Sequence, residues 1–233
     1  GAIIGTQDGS VVLTAGSGDV TLESITAGSA NVAVTAGGSI VDRDTAGDSV
    51  VDIAAAGLIL NAGTGIGEGA NHLETSVSTL TANAGAGGLY ITEANGVTVN
   101  SLTVAINRVA TDASVPGTAS GSATVTQEDL SATGAGNLVL VSALGDIEVN
   151  AGLTAGGISL QTGNSLIEAT SGALTFTAAM AATGGHISLK AASTLSQGVD
   201  GDISTNGAGS IGVQANAISM ADGASSSTGT GNI

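Results

Sequence analysis

Three aspartates lie close together in the segment VDRDTAGD at positions 41–48. Calcium in proteins binds several hard oxygen ligands, which flexible loops supply. The spacing of Asp42, Asp44 and Asp48 therefore predicts a calcium site, although it lacks the glycine and the distal glutamate of an EF-hand loop. The alternative is a solvated acidic turn in which Arg43 is the internal partner. No other metal and no organic cofactor is expected.

The other candidate ligands are isolated in the sequence. Asp200 and Asp202 form a second, smaller acidic cluster. His72 and His186 have no partners at the spacing of a metal site, so a position on the solvated surface is the better interpretation of both.

The residues that polysaccharide-cleaving enzymes need are scarce. Lyases use a strong base with cations, and glycosidases use paired carboxylates beside a groove that aromatic side chains usually line. Arg43 and Arg108 are far apart in sequence, and Tyr90 is the one aromatic side chain left for stacking if Phe176 lies in the core. We therefore expect no catalytic residues and no enzyme activity.

The charge of the chain is strongly one-sided, with 19 acidic residues against three strong bases and a formal net charge of −16. Nucleic-acid binding requires clustered Lys and Arg side chains on the phosphate backbone, which three scattered bases cannot supply. The same balance weighs against an anionic membrane surface, and no run of about 18 apolar residues could insert into a bilayer. We expect neither nucleic acid nor a membrane as a partner.

Composition points to a narrow core and sharp turns. The 38 glycines follow no collagen period, so they are interpreted as turn residues. One Phe, one Tyr and no Trp leave Ala, Val, Ile and Leu to fill the interior. Without cysteine there is no disulfide framework and no thiolate metal site.

One unit recurs along the chain: an alternating apolar pair, one or two small residues, and then Gly or Asn. Clear instances begin at Val11, Val32, Leu58, Ile147, Ile158 and Ile187. Within each instance the apolar residues lie two positions apart, which places them on one face of a short strand. The residues between them are expected to face solvent. They include Ala33, Glu148, Ser159 and Ser188.

These short strands and turns predict an all-β fold, a parallel β-helix with coils of about 20 residues, of which the chain would hold about ten or eleven. The alternative is a sandwich of antiparallel hairpins, which the Asn-Gly and Asp-Gly pairs at 95–96 and 200–201 could signal. Few aromatic residues and the constant polarity of the unit favour the β-helix. Equivalent positions of a parallel stack lie about 4.8 Å apart, so the scarcity of charge avoids repulsion along the ladder.

The β-helix is expected to run as one continuous segment of a longer protein through residues 1–233. An irregular or protruding coil is predicted near 105–136, where the rhythm is interrupted. Neither end carries a polar cap or a helix, so we expect neighbouring segments of the same or identical chains to continue the stack end to end.

The Gly-Gly-led units at 156–163 and 184–189, together with the segments 65–75 and 87–91, resemble the repeats of filamentous-haemagglutinin-like giant exoproteins of bacteria. The likeness covers essentially the whole chain. It implies a right-handed parallel β-helix that is secreted to the cell surface and used as a fibre, adhesin or spacer. A host or neighbouring-cell surface, or a glycan, is the partner that such a role implies.

The sequence thus predicts a structural rod or fibre segment of a large secreted bacterial cell-surface protein, with a role in adhesion or surface spacing. The alternative is a polysaccharide-binding or polysaccharide-degrading β-helix protein. A third class, ice or mineral binding by a flat threonine face, has hints at 174–177 and 79–81. These hints do not repeat in register, so this class ranks below adhesion.

Overall fold

The computed structural model describes residues 3–44, 47–115 and 122–233, and the regular elements in these ranges are all β-strands. The first fourteen are β1 Ile3–Gly5, β2 Val11–Ala15, β3 Val20–Leu22, β4 Ser24–Thr26, β5 Asn31–Ala36, β6 Ile40–Asp42, β7 Ile53–Ala54, β8 Gly57–Ala62, β9 Gly65–Ile66, β10 Leu73–Ser76, β11 Thr79–Ala84, β12 Gly88–Glu93, β13 Val97–Val99 and β14 Leu102–Asn107. The others are β15 Ser122–Gln127, β16 Leu130–Ala132, β17 Leu138–Ser142, β18 Ile147–Val149, β19 Ile158–Leu160, β20 Ser165–Ala169, β21 Leu174–Phe176, β22 Met180–Ala182, β23 Ile187–Ala191, β24 Thr194–Gln197, β25 Ile203–Thr205, β26 Ile211–Gln214, β27 Ala217–Met220 and β28 Ser226–Thr228. None of the described residues forms a helix that could span a membrane.

The strands stack into two long parallel sheets that share one core. Sheet A follows the path β1-β4-β7-β10-β12-β17-β20-β23-β26, with β3, β6 and β9 beside its first half. Sheet B begins with β2, β5, β8 and β11 and continues with two short strands per coil, from β13 and β16 to β27 and β28. The predicted parallel β-helix is confirmed, with about nine turns. The sandwich is excluded because, among the strands of the described ranges, only β14 and β15 pair antiparallel.

The coils differ in length. Leu73 pairs with Ile91, 18 positions later, whereas Ile25 pairs with Ile53, 28 positions later. Most coils are longer than the expected 20 residues, so about nine turns form instead of ten or eleven. The added residues lie in corners and loops, where they leave the ladder in register.

The core is a stack of aliphatic side chains at alternate strand positions. One buried ladder runs through Val34, Leu60, Ala82, Leu130, Ile158, Met180 and Ile203. Phe176 is also fully buried, in register with Val149 of the preceding coil. Because burial of each large aliphatic side chain contributes about 1.5–3 kcal/mol, every added coil extends the same source of stability along the stack.

Glycines form a second ladder at one corner of the coils. Its members are Gly16, Gly37, Gly63, Gly85, Gly136, Gly163, Gly185, Gly209 and Gly231. A Cβ atom at Gly63 would lie 2.3 Å from the carbonyl oxygen of Gly37, and one at Gly85 would lie 2.1 Å from that of Gly63. Only glycine permits this approach of one coil's backbone to the next, which explains why many repeat units end in glycine.

One hairpin interrupts the stack within the coil that starts at β12. The chain leaves sheet B after β13, forms the antiparallel pair β14–β15, and returns in β16, which pairs with the same strand, β11, as β13 does. The hairpin lies over the outer face of sheet B, where Val104 contacts Ala33 and Ile59 in a small second core. Residues 116–121, within the predicted irregular coil, lie outside the described residues.

The expectation that Ala33 faces solvent is wrong. Ala33 lies between the core residues of β5, but the hairpin covers it, and its exposed fraction is 0%. Its small side chain leaves room for Val104 to pack against the sheet. The other outer-face residues of the same pattern behave as expected, because Ser159 is exposed and Glu148 and Ser188 are half-buried.

Candidate functional site

Three carboxylates converge on sheet A, in two consecutive coils, where its columns of short strands β3-β6-β9 and β4-β7-β10 meet. Asp42 ends β6, Asp52 immediately precedes β7, and Glu74 lies in β10 of the next coil. Because Ile53 pairs with Thr75, Asp52 and Glu74 lie side by side on neighbouring strands. Carboxylate oxygens of all three residues lie within 4.8 Å of one another. We call Asp42, Asp52 and Glu74 the carboxylate cluster.

Hydrogen bonds satisfy only part of the carboxylate cluster. The side chain of Asp42 accepts a 2.8 Å bond from the Asp44 backbone N–H and another of 2.8 Å from the side-chain amide of Asn71. Oδ2 of Asp52 accepts a 2.9 Å bond from the Glu74 backbone N–H. Oδ1 of Asp52 and Oε2 of Glu74 are buried and receive no bond from an amide or a hydroxyl, and the side-chain contacts of Asp52 within hydrogen-bonding range are to the carboxyls of Asp42 and Glu74. The exposed fraction is 1% for Asp52 and 7% for Glu74.

Burial and mutual repulsion disfavour ionisation of Asp52 and Glu74. Burial raises the pKa of Asp52 to about 8, and the nearby carboxylates of Asp42 and Glu74 contribute to the shift. Burial likewise raises the pKa of Glu74 to about 7, with contributions from the charges of Asp42 and Asp48. Two of the three strong bases of the chain pair elsewhere, since Arg43 contacts Glu23 and Lys190 contacts Glu168.

The structure places the three aspartates of the predicted calcium site differently. Asp42 belongs to the carboxylate cluster. Asp48 is half-buried, its Oδ1 accepts a 2.8 Å bond from the Val50 N–H, and its Oδ2 is buried without a partner. Asp44 is exposed and contacts the site through its backbone. The prediction of calcium at Asp42, Asp44 and Asp48 stays a prediction.

Sequence reasoning missed Asp52 because it falls just after the segment 41–48, and missed Glu74 because it is distant from that segment in sequence. The signal that could have found them is their separation of 22 positions, which is about one coil. An acidic residue repeated one coil later predicts two carboxylates in contact, because equivalent positions of a parallel stack lie about 4.8 Å apart. That inference requires the coil length at this place, which varies along the chain.

Several acidic side chains outside the carboxylate cluster have a structural role, as caps for turns of the following coil. Oδ1 of Asp202, one of the second pair of aspartates, accepts bonds of 2.7 and 2.8 Å from the backbone and hydroxyl of Ser225. Asp8 accepts the equivalent bonds from Ser29. Asp52 likewise accepts a backbone N–H one coil later, but its other oxygen is buried without such a donor.

A cleft of about 320 Å³ opens beside the carboxylate cluster. Its lining includes Glu74, Asp48, His72 and Thr92. Nδ1 of His72 lies 2.9 Å from the Thr92 hydroxyl, and burial lowers the pKa of this half-buried imidazole. His72 is therefore less solvated than the sequence indicated. The ring centroid of His72 lies 6.0 Å from that of Tyr90.

Glu93 is a fourth buried carboxylate, one coil after Thr75, and faces the core. Its side chain accepts bonds of 2.7 Å from the Thr75 hydroxyl and 3.0 Å from the Val77 backbone N–H. Burial raises the pKa of Glu93, while these hydrogen bonds oppose the shift. Because its oxygens accept bonds from Thr75 and Val77 at a corner of the coil, Glu93 stabilises the backbone there and is not available to bind a ligand.

The carboxylate cluster can hold a cation or share protons among its members, and the cleft could admit a small ligand next to it. Comparison of this chain with protein families, with curated proteins and with solved structures finds no match. The fold shows that this chain is a β-helix repeat protein.

Proposed function

We propose that this chain is a structural rod segment of a large secreted bacterial cell-surface protein of the filamentous-haemagglutinin-like kind, which serves in adhesion or surface spacing. The observation that carries the proposal is the glycine ladder. It keeps one corner of the backbone in register from Gly16 to Gly231, across the described stack. Such regularity favours length and stiffness, because each coil contacts only its neighbours.

The outer face supports the same role. A ladder of small neutral residues, all polar except Ala181, follows sheet B along the stack: Thr14, Thr35, Asn61, Asn83, Ser131, Ser159, Ala181, Ser204 and Ser227. A face of small neutral side chains avoids repulsion between equivalent positions. It offers no groups for a reaction, which fits a rod better than an enzyme.

The proposed partners are further β-helix coils and a surface. In a parallel stack each coil pairs through its backbone with the coils on either side, so further coils of the same kind are the natural partners. In this proposal the rod lies outside the cell and holds its adhesive parts away from the surface.

Removal of a whole coil tests the proposal. Ser165 is in register with Ile187, 22 positions later, so deletion of residues 165–186 joins Asn164 to the equivalent point of the next coil. A rod made of modular coils is expected to fold after this deletion, with a cooperative unfolding transition and an unchanged β-sheet circular dichroism spectrum per residue. The matched control deletes only residues 165–175, which breaks the register. Equal disruption by both deletions would contradict modularity.

The second candidate function is carbohydrate binding or cleavage at the cleft that His72 lines, with the Tyr90 ring 6.0 Å from that of His72. The cleft volume and the paired carboxylates favour it, but Asp52 is too deeply buried to contact a sugar ring. A glycan array with the intact chain and with Tyr90→Ala distinguishes the candidates. The rod predicts no glycan that depends on Tyr90, whereas a bound glycan lost in Tyr90→Ala would favour the second candidate.

A further inference from the structure

The strongest sign of an unassigned ligand is a pair of like charges in register. Asp52 and Glu74 occupy neighbouring positions of sheet A, and both are buried. On the same sheet, Glu168 is in register with Lys190 and lies 3.4 Å from its ammonium nitrogen. The Glu168–Lys190 pair shows how this ladder balances charge with a basic residue. At Asp52 and Glu74 no such base is in register, because the next position along the ladder is Thr92.

Buried carboxylate oxygens without a hydrogen-bond donor indicate where a cation would bind. Oδ1 of Asp52 and Oε2 of Glu74 are buried acceptors without a donor, and Oδ2 of Asp48 is a third. A buried acceptor without a partner destabilises the folded state, and does so more strongly when it is charged. Asp52 and Glu74 have carboxylate oxygens within 4.8 Å of each other, and Asp48 lines the same cleft as Glu74, so the unpartnered oxygens point to a ligand that accepts electron pairs.

We propose that Asp42, Asp52 and Glu74 bind a calcium ion that links two consecutive coils, with Asp48 supplying a further oxygen from the loop. This site differs from the one that the sequence predicted, because Asp52 and Glu74 replace Asp44. It does not depend on the proposed rod function.

The chemistry of the donors selects calcium. All donors are oxygens, which excludes the nitrogen and sulfur sets typical of zinc. Calcium binds oxygens at about 2.3–2.6 Å, so oxygens on opposite sides of the ion can be almost 5 Å apart. The carboxylate oxygens here lie within 4.8 Å of one another. Magnesium requires oxygen ligands at about 2.0–2.1 Å in a nearly ideal octahedron, and it retains several of its water ligands. A site that includes a side chain from an irregular loop does not favour such strict geometry.

The cleft provides the remaining coordination. Calcium takes about six to eight oxygen ligands, and water commonly supplies some of them. Glu74 and Asp48 both line the cleft of about 320 Å³, so the ion and its waters have an entry path. Asn71 holds Asp42 by its side-chain amide at 2.8 Å and fixes the orientation of that carboxylate.

The competing explanation is that the carboxylates share protons and bind no metal. Asp52→Asn separates the two. An asparagine at this position can accept the Glu74 N–H bond through its oxygen and donate to Asp42 through its nitrogen, so the fold is expected to persist. The same change removes one charged ligand and is expected to weaken calcium binding at least about tenfold.

Isothermal titration of the intact chain with calcium chloride after removal of metals with EDTA tests the proposal, together with thermal unfolding. The wild type is expected to bind calcium with a dissociation constant of about 1 mM or below. At a calcium concentration about 100-fold above that constant, the melting temperature should rise by about 5–10 °C. Glu148→Gln, on sheet B, is the matched control and should retain both effects. Magnesium at the same concentration should produce a much smaller shift.

The second variant, Glu74→Gln, keeps the test decisive if Asp52→Asn fails to fold. Both variants are expected to lose calcium-dependent stabilisation, while Asp52→Asn in EDTA is at least as stable as the wild type in EDTA. Absence of calcium binding to the wild type would overturn the proposal. So would unchanged affinity in the folded variants, or an equal response to magnesium, which would indicate only general attraction to an acidic chain.

Discussion

Asp52 and Glu74 lie side by side on neighbouring coils, and the Glu74 backbone N–H donates a 2.9 Å hydrogen bond to Oδ2 of Asp52. Two adjacent buried carboxylates without a basic partner differ from the arrangement of charged side chains elsewhere in the chain. Carboxylates such as Asp202 cap turns of the next coil, and Glu168 is paired with Lys190. The Asp52–Glu74 contact brings like charges together on the outer face of sheet A, where both side chains are buried, and a calcium ion would balance them.

The amide of Asn71 is expected to matter for calcium binding although it is not a ligand. It donates to Oδ2 of Asp42 at 2.8 Å, and loss of such an orienting bond typically weakens metal affinity by about 10–100-fold. Asn71→Ala should therefore raise the dissociation constant for calcium in a titration calorimeter. The control is Asn137→Ala, which removes an amide that bonds to the Tyr90 hydroxyl. Equal affinities in the two variants would contradict the role of Asn71.

The buried carboxyl of Glu93 is expected to make the folded state less stable as the pH rises. Its pKa is raised above the ordinary value of 4.5, so the unfolded chain releases this proton at a lower pH than the folded chain does. Between the two pKa values the free energy of unfolding therefore falls with increasing pH. Glu93→Gln has no proton to release there and should show a smaller fall.

Urea unfolding on the acid side of pH 4.5 and at neutral pH measures this effect. Ser142→Ala is the matched control, because Ser142 is in register with Glu93 in the next coil and does not titrate in this range. It should lower stability equally at both pH values. An identical pH dependence in Glu93→Gln and the wild type would show that Glu93 does not contribute.

The glycine ladder predicts that Gly63→Ala destabilises the fold. The new Cβ would lie 2.3 Å from the Gly37 carbonyl oxygen, and forced overpacking of this kind costs about 1–3 kcal/mol. Gly16→Ala is the matched control, since nothing lies within 4 Å of a Cβ at that end of the ladder. It should change the free energy of unfolding by less than about 0.5 kcal/mol. Similar losses in both variants would contradict the close approach between coils.

The hairpin β14–β15 covers part of the outer face of sheet B, and Ile59 is buried beneath it in the small second core. Ile59 has an exposed fraction of 0% and packs with Val104. Ile59→Ala should lower the free energy of unfolding by about 2–5 kcal/mol in chemical denaturation. Val50→Ala, at a position that is 56% exposed, should cost less than about 0.5 kcal/mol. A small effect at Ile59 would mean that the hairpin leaves this face open.

The sequence predicts the repetitive part of the fold well because that part depends on local patterns. The pairs Ile147 with Val149 and Ile158 with Leu160 are buried as their spacing of two indicates, and glycine after the strand marks the corner. The number of coils is harder to predict, because loops of different length are inserted without disturbing the ladder.

The cover over Ala33 and the contact between Asp52 and Glu74 could not be predicted in the same way. Val104 is 71 positions from Ala33, and nothing in the pattern of β5 indicates which distant segment lies over it. The carboxylate contact depends on the register between two coils, and that register is set by the uneven loop before β7. Of the site, the sequence identified Asp42 and Asp48 but not their main partners.

The central claim, a rigid stack of modular coils, is tested most directly by a spin-label distance measurement. The chain has no cysteine, so Thr14→Cys and Ser227→Cys provide specific labels on the same outer ladder, eight rungs apart. Double electron–electron resonance should give a narrow distribution near 38 Å, from a rung spacing of about 4.8 Å. Deletion of residues 165–186 should shorten the distance by about 4.8 Å and keep the distribution narrow. A broad distribution, or a distance unchanged by the deletion, would contradict the rod.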